Sequence, residues 1–238
     1  MERGQVNVGH LLRSALDLLL PHRCVACAVP LPCPSPPFCE LCWQSVLTLD
    51  RACPRCGLPD SPGACPDCRR RPPPYAAAGA AVEYGGQAAA AVRLLKYGGR
   101  SYIGRPLASL MRSLVPPLLP LDRVLPVPLH PARARSRGYN QAALLATPLA
   151  RHLGLPVSHG SLARHRDTPV QASLDRERRL QNLRGAFTAS PARVRGARLL
   201  LVDDVMTTGA TAVACTEALL QAGAGEVKVV CLARVVVE

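Results

Sequence analysis

An α/β domain on a largely parallel sheet, preceded by a small cysteine-rich module, is the fold class this sequence predicts. Three observations carry that reading. Nine of the eleven cysteines lie between Cys24 and Cys68. Beyond residue 75, short apolar runs alternate with helical patterns, the rhythm of βαβ layering. At residues 199–212 the run LLLVDDVMTTGATA joins a buried-strand pattern to two aspartates and a small-residue turn that opens an apolar helix.

Composition sets the limits. The 238 residues, 48% apolar, suffice for one main domain and a small accessory one. Basic residues number 29 against 16 acidic ones, a formal charge of +13, and Lys96 and Lys228 are the only lysines. Arginine-heavy charge suits phosphate partners, and a solvated basic surface explains it equally well. Residues 8–20 are too short to span a membrane and are interrupted by His10, Arg13 and Asp17. They read as an amphipathic helix with Leu12, Leu16 and Leu19 on one face, so residues 1–20 form an amino-terminal helical segment. No transmembrane segment and a cytoplasmic location are therefore expected.

Residues 21–72 form the cysteine module. Eight cysteines fall into four Cys-x-x-Cys pairs: Cys24/Cys27, Cys39/Cys42, Cys53/Cys56 and Cys65/Cys68. Two such pairs make one tetrahedral thiolate site, because a two-residue gap lets both sulfurs reach one ion; four pairs imply two zinc ions. Sequential pairing is the simplest arrangement, an interleaved one is left open, and Cys33 is left over. A disulfide scaffold would require secretion, and a redox motif would need one pair, not four. A closed four-thiolate site has no open coordination position, so this zinc double ribbon is expected to fold the segment, not to catalyse. Arg51, Arg55, Arg69, Arg70 and Arg71 offer contact with an acidic partner or simply a solvated face.

Arg69 through Pro74 reads as a stiff linker, and residues 73–238 form the second domain. Within it we expect a strand at 76–84, an alanine-rich helix at 87–95 and a helix at 103–115 stopped by Pro116 and Pro117. A strand at 123–128 and a helix at 139–153 follow, the latter kinked or split by Pro148. A strand at 199–202, a helix at 210–222 and a closing strand at 227–237 complete the domain. Cys215 and Cys231 sit in apolar patterns and read as core thiols.

The opening motif then falls where open α/β sheets bind ligands, at a strand's carboxyl end. The hydroxyls of Thr207, Thr208 and Thr211 and the amides of the first helical turn suit a phosphate, and Gly209 allows a close backbone approach. Asp203 and Asp204 beside that phosphate suit hydroxyl donors a few ångströms away. A ribose 5-phosphate meets both demands, with magnesium held by substrate oxygens near the carboxylates. Neither a Walker loop nor a dinucleotide fingerprint occurs in a strand-to-helix context.

The run from Asp203 through Thr211, including Ala210, resembles the phosphoribosyl-pyrophosphate signature of type I phosphoribosyltransferases. Across residues 18–235 the chain resembles the ComF family, which joins an amino-terminal zinc ribbon to such a domain and has been linked to DNA uptake in competence. Leu95 through Gly99, Val127 through Gln141, Arg164, Thr168, Gln171, Arg179, Asn182, Gly185 and Phe187 also carry the likeness. The resemblance implies a type I phosphoribosyltransferase-like parallel sheet with flanking helices. It places Arg133, Arg135 and Arg137 in a pyrophosphate loop after the strand at 124–127, makes residues 165–184 a loop that closes over substrate, and makes Lys96 a pyrophosphate or acceptor-side candidate. Asp203, Asp204 and Arg137 are the expected catalytic residues. Two functions stand: a phosphoribosyltransferase with an unidentified acceptor, or a binding module that senses phosphoribosyl pyrophosphate or holds single-stranded DNA with the competence machinery. Low aromatic content, 3%, counts against base stacking in the second.

Overall fold

The computed structural model describes residues 23–31, 37–49, 51–61, 63–115, 118–167 and 176–236. The expected helix at 8–20, Cys33, Thr168 and Gln171 fall outside these residues, as does the side chain of Arg179. Two short helices, α1 (Glu40–Trp43) and α2 (Pro66–Arg70), belong to the cysteine module. After it come β1 (Ala77–Glu83), α3 (Gly86–Tyr97), α4 (Gly104–Ser109), β2 (Arg123–Pro126), α5 (Pro131–Arg137) and α6 (Gln141–Leu153). The chain continues through β3 (Leu162–Arg164), α7 (Arg176–Leu183), β4 (Phe187–Ala189) and α8 (Pro191–Val194). It ends in β5 (Arg198–Met206), α9 (Ala210–Gln221) and β6 (Glu226–Arg234).

Four strands form a parallel sheet in the order β1-β6-β5-β2, while β3 and β4 make a separate antiparallel pair. The central strands are covered on both faces, which is why β5 and β6 read as continuous apolar runs. Their side chains alternate between two cores. Leu200 and Val202 join Leu95, Met111, Leu145 and Leu149 beneath α3, α4 and α6. Leu199 and Leu201 join Phe187, Cys215 and Leu219 beneath α9.

The cysteine module lies on the open edge of β1. Phe38, Cys42 and Val46 enter the first core, and the Glu83 amide donates to the Leu47 carbonyl at 2.7 Å. A Cβ built on Gly57 would lie 3.3 Å from the Cα of Gly79, so the second knuckle touches β1 backbone to backbone. Covering the strand in this way removes an exposed edge.

Several expectations need correction. Residues 103–115 are not one helix: 3₁₀ turns at Ser101–Ile103 and Arg112–Leu114 flank the short α4. Pro148 does not split α6, which runs unbroken from its Asn140 cap to Gly154. The strand at 199–202 extends to Met206, because Asp203, Val205 and Met206 keep pairing with β6 after β2 has stopped at Pro126. Arg133, Arg135 and Arg137 do not lie in a loop, since Pro131 at the first helical turn starts α5 there.

Candidate functional site

Asp203 and Asp204 occupy the stretch of β5 that β2 no longer flanks. Each carboxylate folds back on the next residue: Asp203 Oδ1 accepts from the Asp204 amide at 2.9 Å, and Asp204 Oδ1 accepts from the Val205 amide at 2.9 Å. Burial, and then the adjacent Asp204 carboxylate, hold the Asp203 carboxyl well above the ordinary range. Such a pair favours anything that brings positive charge or hydroxyl donors, whether a sugar diol or a magnesium ion shared with substrate oxygens.

Lys96, in the last turn of α3, puts Nζ 3.0 Å from Asp204 Oδ2. The contact is an ion pair by distance, and Oδ2 has no aligned hydrogen-bond donor. Burial by itself lowers the lysine pKa, but Asp204 and Asp203 outweigh it and raise the value. Lys96 is thus held as a cation on the acidic pair.

The turn after β5 has the geometry its composition suggests. Gly209 adopts φ +79° and caps α9, whose first internal bond runs from the Val213 amide to the Gly209 carbonyl at 2.9 Å. The amides of Thr211 and Ala212 therefore have no intrahelical acceptor and carry the positive end of the dipole. Thr208 Oγ1 lies 3.4 Å from the Ala210 amide, Thr207 is exposed, and Thr211 is half-buried.

On α5, residues 133 and 137 are one turn apart and share a face, whereas residue 135 points away. Arg137 donates to Gln141 Oε1 and stacks 5.2 Å over the Tyr97 ring. Arg133 Nε contacts Asp167 Oδ1 at 2.8 Å, and Arg135 is exposed. The helix sets Arg135 apart from Arg133 and Arg137, which residue spacing alone would have grouped with it. Arg164 rests 5.5 Å over Phe187; burial, then Arg133, lower its pKa, against the opposing pull of Cys215, Asp167 and Asp203. In the expected closing segment, α7 is helical, and Arg166 ties its far end by donating to the carbonyls of Asn182 at 2.7 Å and Arg184 at 3.1 Å.

The eight cysteines form two tetrads in chain order, Cys24/Cys27/Cys39/Cys42 and Cys53/Cys56/Cys65/Cys68, with all sulfurs of a tetrad within 4.8 Å of one another. Cys27 and Cys39 are 3.7 Å apart, as are Cys56 and Cys65. That is the edge of a tetrahedron with bonds of about 2.3 Å, the zinc–sulfur length. Burial tends to raise the Cys24 pKa, but backbone amides holding the thiolate bring it down to about 6; the same balance brings Cys53 to about 7.

The phosphoribosyl transferase domain model matches residues 140–236, from the cap of α6 past the end of β6. The DNA utilization protein YhgH of Salmonella typhi is 36% identical over 225 residues, which cover 91% of this chain and 99% of that protein. The chain belongs to the ComF/YhgH family. Competence protein F of Haemophilus influenzae, 38% identical over 115 residues, covers 48% of the chain and 50% of its own length. Among solved structures, the glutamine phosphoribosylpyrophosphate amidotransferase of B. subtilis aligns at 22% identity and a TM-score of 0.37, over 62% of this chain and 28% of that one. As a ComF/YhgH member, the chain joins a type I phosphoribosyltransferase-like α/β domain to an amino-terminal region with two cysteine tetrads. The phosphoribosyl transferase domain match begins at Asn140, so the placement of Lys96 and the arginines of α5 on this domain rests on geometry.

Residue reading included Tyr97, Arg166 and Asp167 only within longer runs and gave none of them a role of its own. Each acts through a partner distant in sequence, and no local pattern marks such a contact.

Proposed function

We propose that this protein binds phosphoribosyl pyrophosphate with magnesium and transfers the phosphoribosyl group to an acceptor in DNA utilization or uptake. One observation carries the reading: the adjacent carboxylates Asp203 and Asp204 stand directly before a helix amino terminus opened by Gly209. In this reading Asp203 and Asp204 accept the ribose hydroxyls, and the residues Thr207, Thr208, Gly209, Ala210 and Thr211 hold the 5-phosphate. Arg137, with Arg133 and Arg164, faces the pyrophosphate, whose departure leaves cationic character on the sugar. Magnesium, when bound, would neutralise the leaving group, and Asp203 and Asp204 are the carboxylates that fit it. The two tetrads hold one structural zinc each. Among the described residues no helix is long and apolar enough to cross a membrane, and we place the thiol-rich chain in the cytoplasm.

The second reading is a phosphoribosyl-pyrophosphate sensor or single-strand binder. What favours it is an exposed pair, Tyr97 at 78% and Tyr102 at 66%, flanked by exposed Arg100 and Arg105. Aromatic rings among arginines form a stacking platform for unpaired bases. Isothermal titration with phosphoribosyl pyrophosphate and magnesium on wild type and Asp204→Ala, followed by a pyrophosphate-release screen over bases and amines, tests both. Absence of wild-type binding defeats the first reading; binding without release under any acceptor selects the second.

A further inference from the structure

Tyr75 is the residue at which the cysteine module meets the turn after β5. Its side chain is 2% exposed. Its hydroxyl lies 3.4 Å from the point a Cβ on Gly209 would occupy, so the ring end rests against the open side of that glycine.

What holds Tyr75 comes from the second tetrad. Arg55 sits between the ligands Cys53 and Cys56. Its guanidinium donates to the Ala76 carbonyl at 3.0 Å and to the Pro73 carbonyl at 3.1 Å, bracketing Tyr75 on both sides. A planar fork with two donors fixes that backbone in a way a single ammonium does not. The same knuckle has no freedom to slide. A Cβ on Gly57 would stand 3.3 Å from the Gly79 Cα and 3.4 Å from the Ala78 carbonyl oxygen. Within the knuckle, the Gly57 amide donates to the Cys53 carbonyl at 2.8 Å and the Cys65 amide to Cys53 Sγ at 3.3 Å. A metal on these sulfurs would lock the loop that carries Arg55.

We propose that Tyr75, clamped by Arg55, is a positioning residue for the turn at 207–211, so that the second cysteine tetrad governs how tightly this turn holds a phosphate ester. The proposal rests on reading that turn as the phosphate site. A glycine cap in the left-handed region is the point at which the turn can give way, and the Tyr75 hydroxyl blocks movement on its open side. Loosening the knuckle frees the backbone at Pro73 and Ala76, then Tyr75, then the turn.

The test compares wild type, Arg55→Gln and Tyr75→Phe, each with its zinc content measured. Tyr75→Phe keeps the ring in the core and removes only the hydroxyl, so the fold is retained if Arg55→Gln loses metal. Amide hydrogen exchange over residues 207–211 is expected to quicken at least fivefold in both variants, with exchange in β5 and β6 unchanged. The Kd for ribose 5-phosphate is expected to rise by a similar factor while the melting temperature stays within a few degrees. Exchange within twofold of wild type in Tyr75→Phe, or in Arg55→Gln at two zinc per chain, overturns the proposal. Absence of ribose 5-phosphate binding by the wild type overturns the phosphate-site reading instead, and the exchange comparison still decides whether Tyr75 restrains the turn.

Discussion

Lys96 Nζ stands 3.0 Å from Asp204 Oδ2, which joins the end of α3 to the acidic pair on β5 across more than a hundred residues of chain. The Asp204 side chain is only 5% exposed, so removing its cation strands a buried carboxylate. Lys96→Met should lower stability by about 1–3 kcal/mol. Urea denaturation of Lys96→Met, Asp204→Asn and the double variant measures the coupling. Purely additive effects would mean that the pair contributes nothing as a pair.

The Asp203 carboxyl, raised by burial and by Asp204, gives the unliganded protein a defined pH response. A folded-state pKa above the unfolded one adds stability that is complete below the ordinary carboxylate range. It is lost as the pH climbs through the raised value. Asp203→Asn keeps the neutral form at all pH. It should therefore be more stable than wild type once the pH exceeds the raised value, on the order of 1 kcal/mol, with a flatter profile above the ordinary carboxylate range. Thermal melts across that range check this, and a wild type that gains on the variant as pH rises would refute it.

The three arginines of α5 should differ in effect. Arg137→Ala loses the Tyr97 stack and the Gln141 bond and should weaken pyrophosphate binding about tenfold, the order of one charge-assisted hydrogen bond. Arg135→Ala, on the exposed face, should change it less than twofold. Titration with inorganic pyrophosphate and magnesium ranks them; equal losses would place Arg135 in the site after all.

Metal analysis should return two zinc per chain, and Cys65→Ser should reduce this to one. Chelation should unfold the module selectively, since structural zinc contributes about 10 kcal/mol or more to the fold it closes. Metal uptake by the stripped protein should weaken as the pH falls, because every ligating thiol must give up its proton to bind. Colorimetric zinc titration against pH follows it.

How much was legible in the sequence depended on whether a feature was local. The four Cys-x-x-Cys pairs reach one another through short loops, so their spacing pointed to chain-order tetrads. The apolar run at 199–202 identified a buried strand, but not its extension through Asp203 to Met206, because β6 supplies the pairing there. The arginines at 133, 135 and 137 read as a group while they were taken for a loop. Pro131 begins a helix under them, and a 3.6-residue period sends Arg135 the other way. Pro148 forecast a break that packing against α4 and the sheet overrides.

By itself the sequence determined the α/β class, the cysteine module, and the acidic pair followed by a glycine-led turn, because each is written in residues within one turn or strand of one another. Only the tertiary structure decided that Lys96 lies on Asp204, that Arg137 stacks on Tyr97, and that Arg55 brackets Tyr75 against Gly209. Those contacts join elements tens of residues apart. Their geometry follows from how a twisted parallel sheet and its covering helices bring chain ends together, which no local pattern of residues encodes.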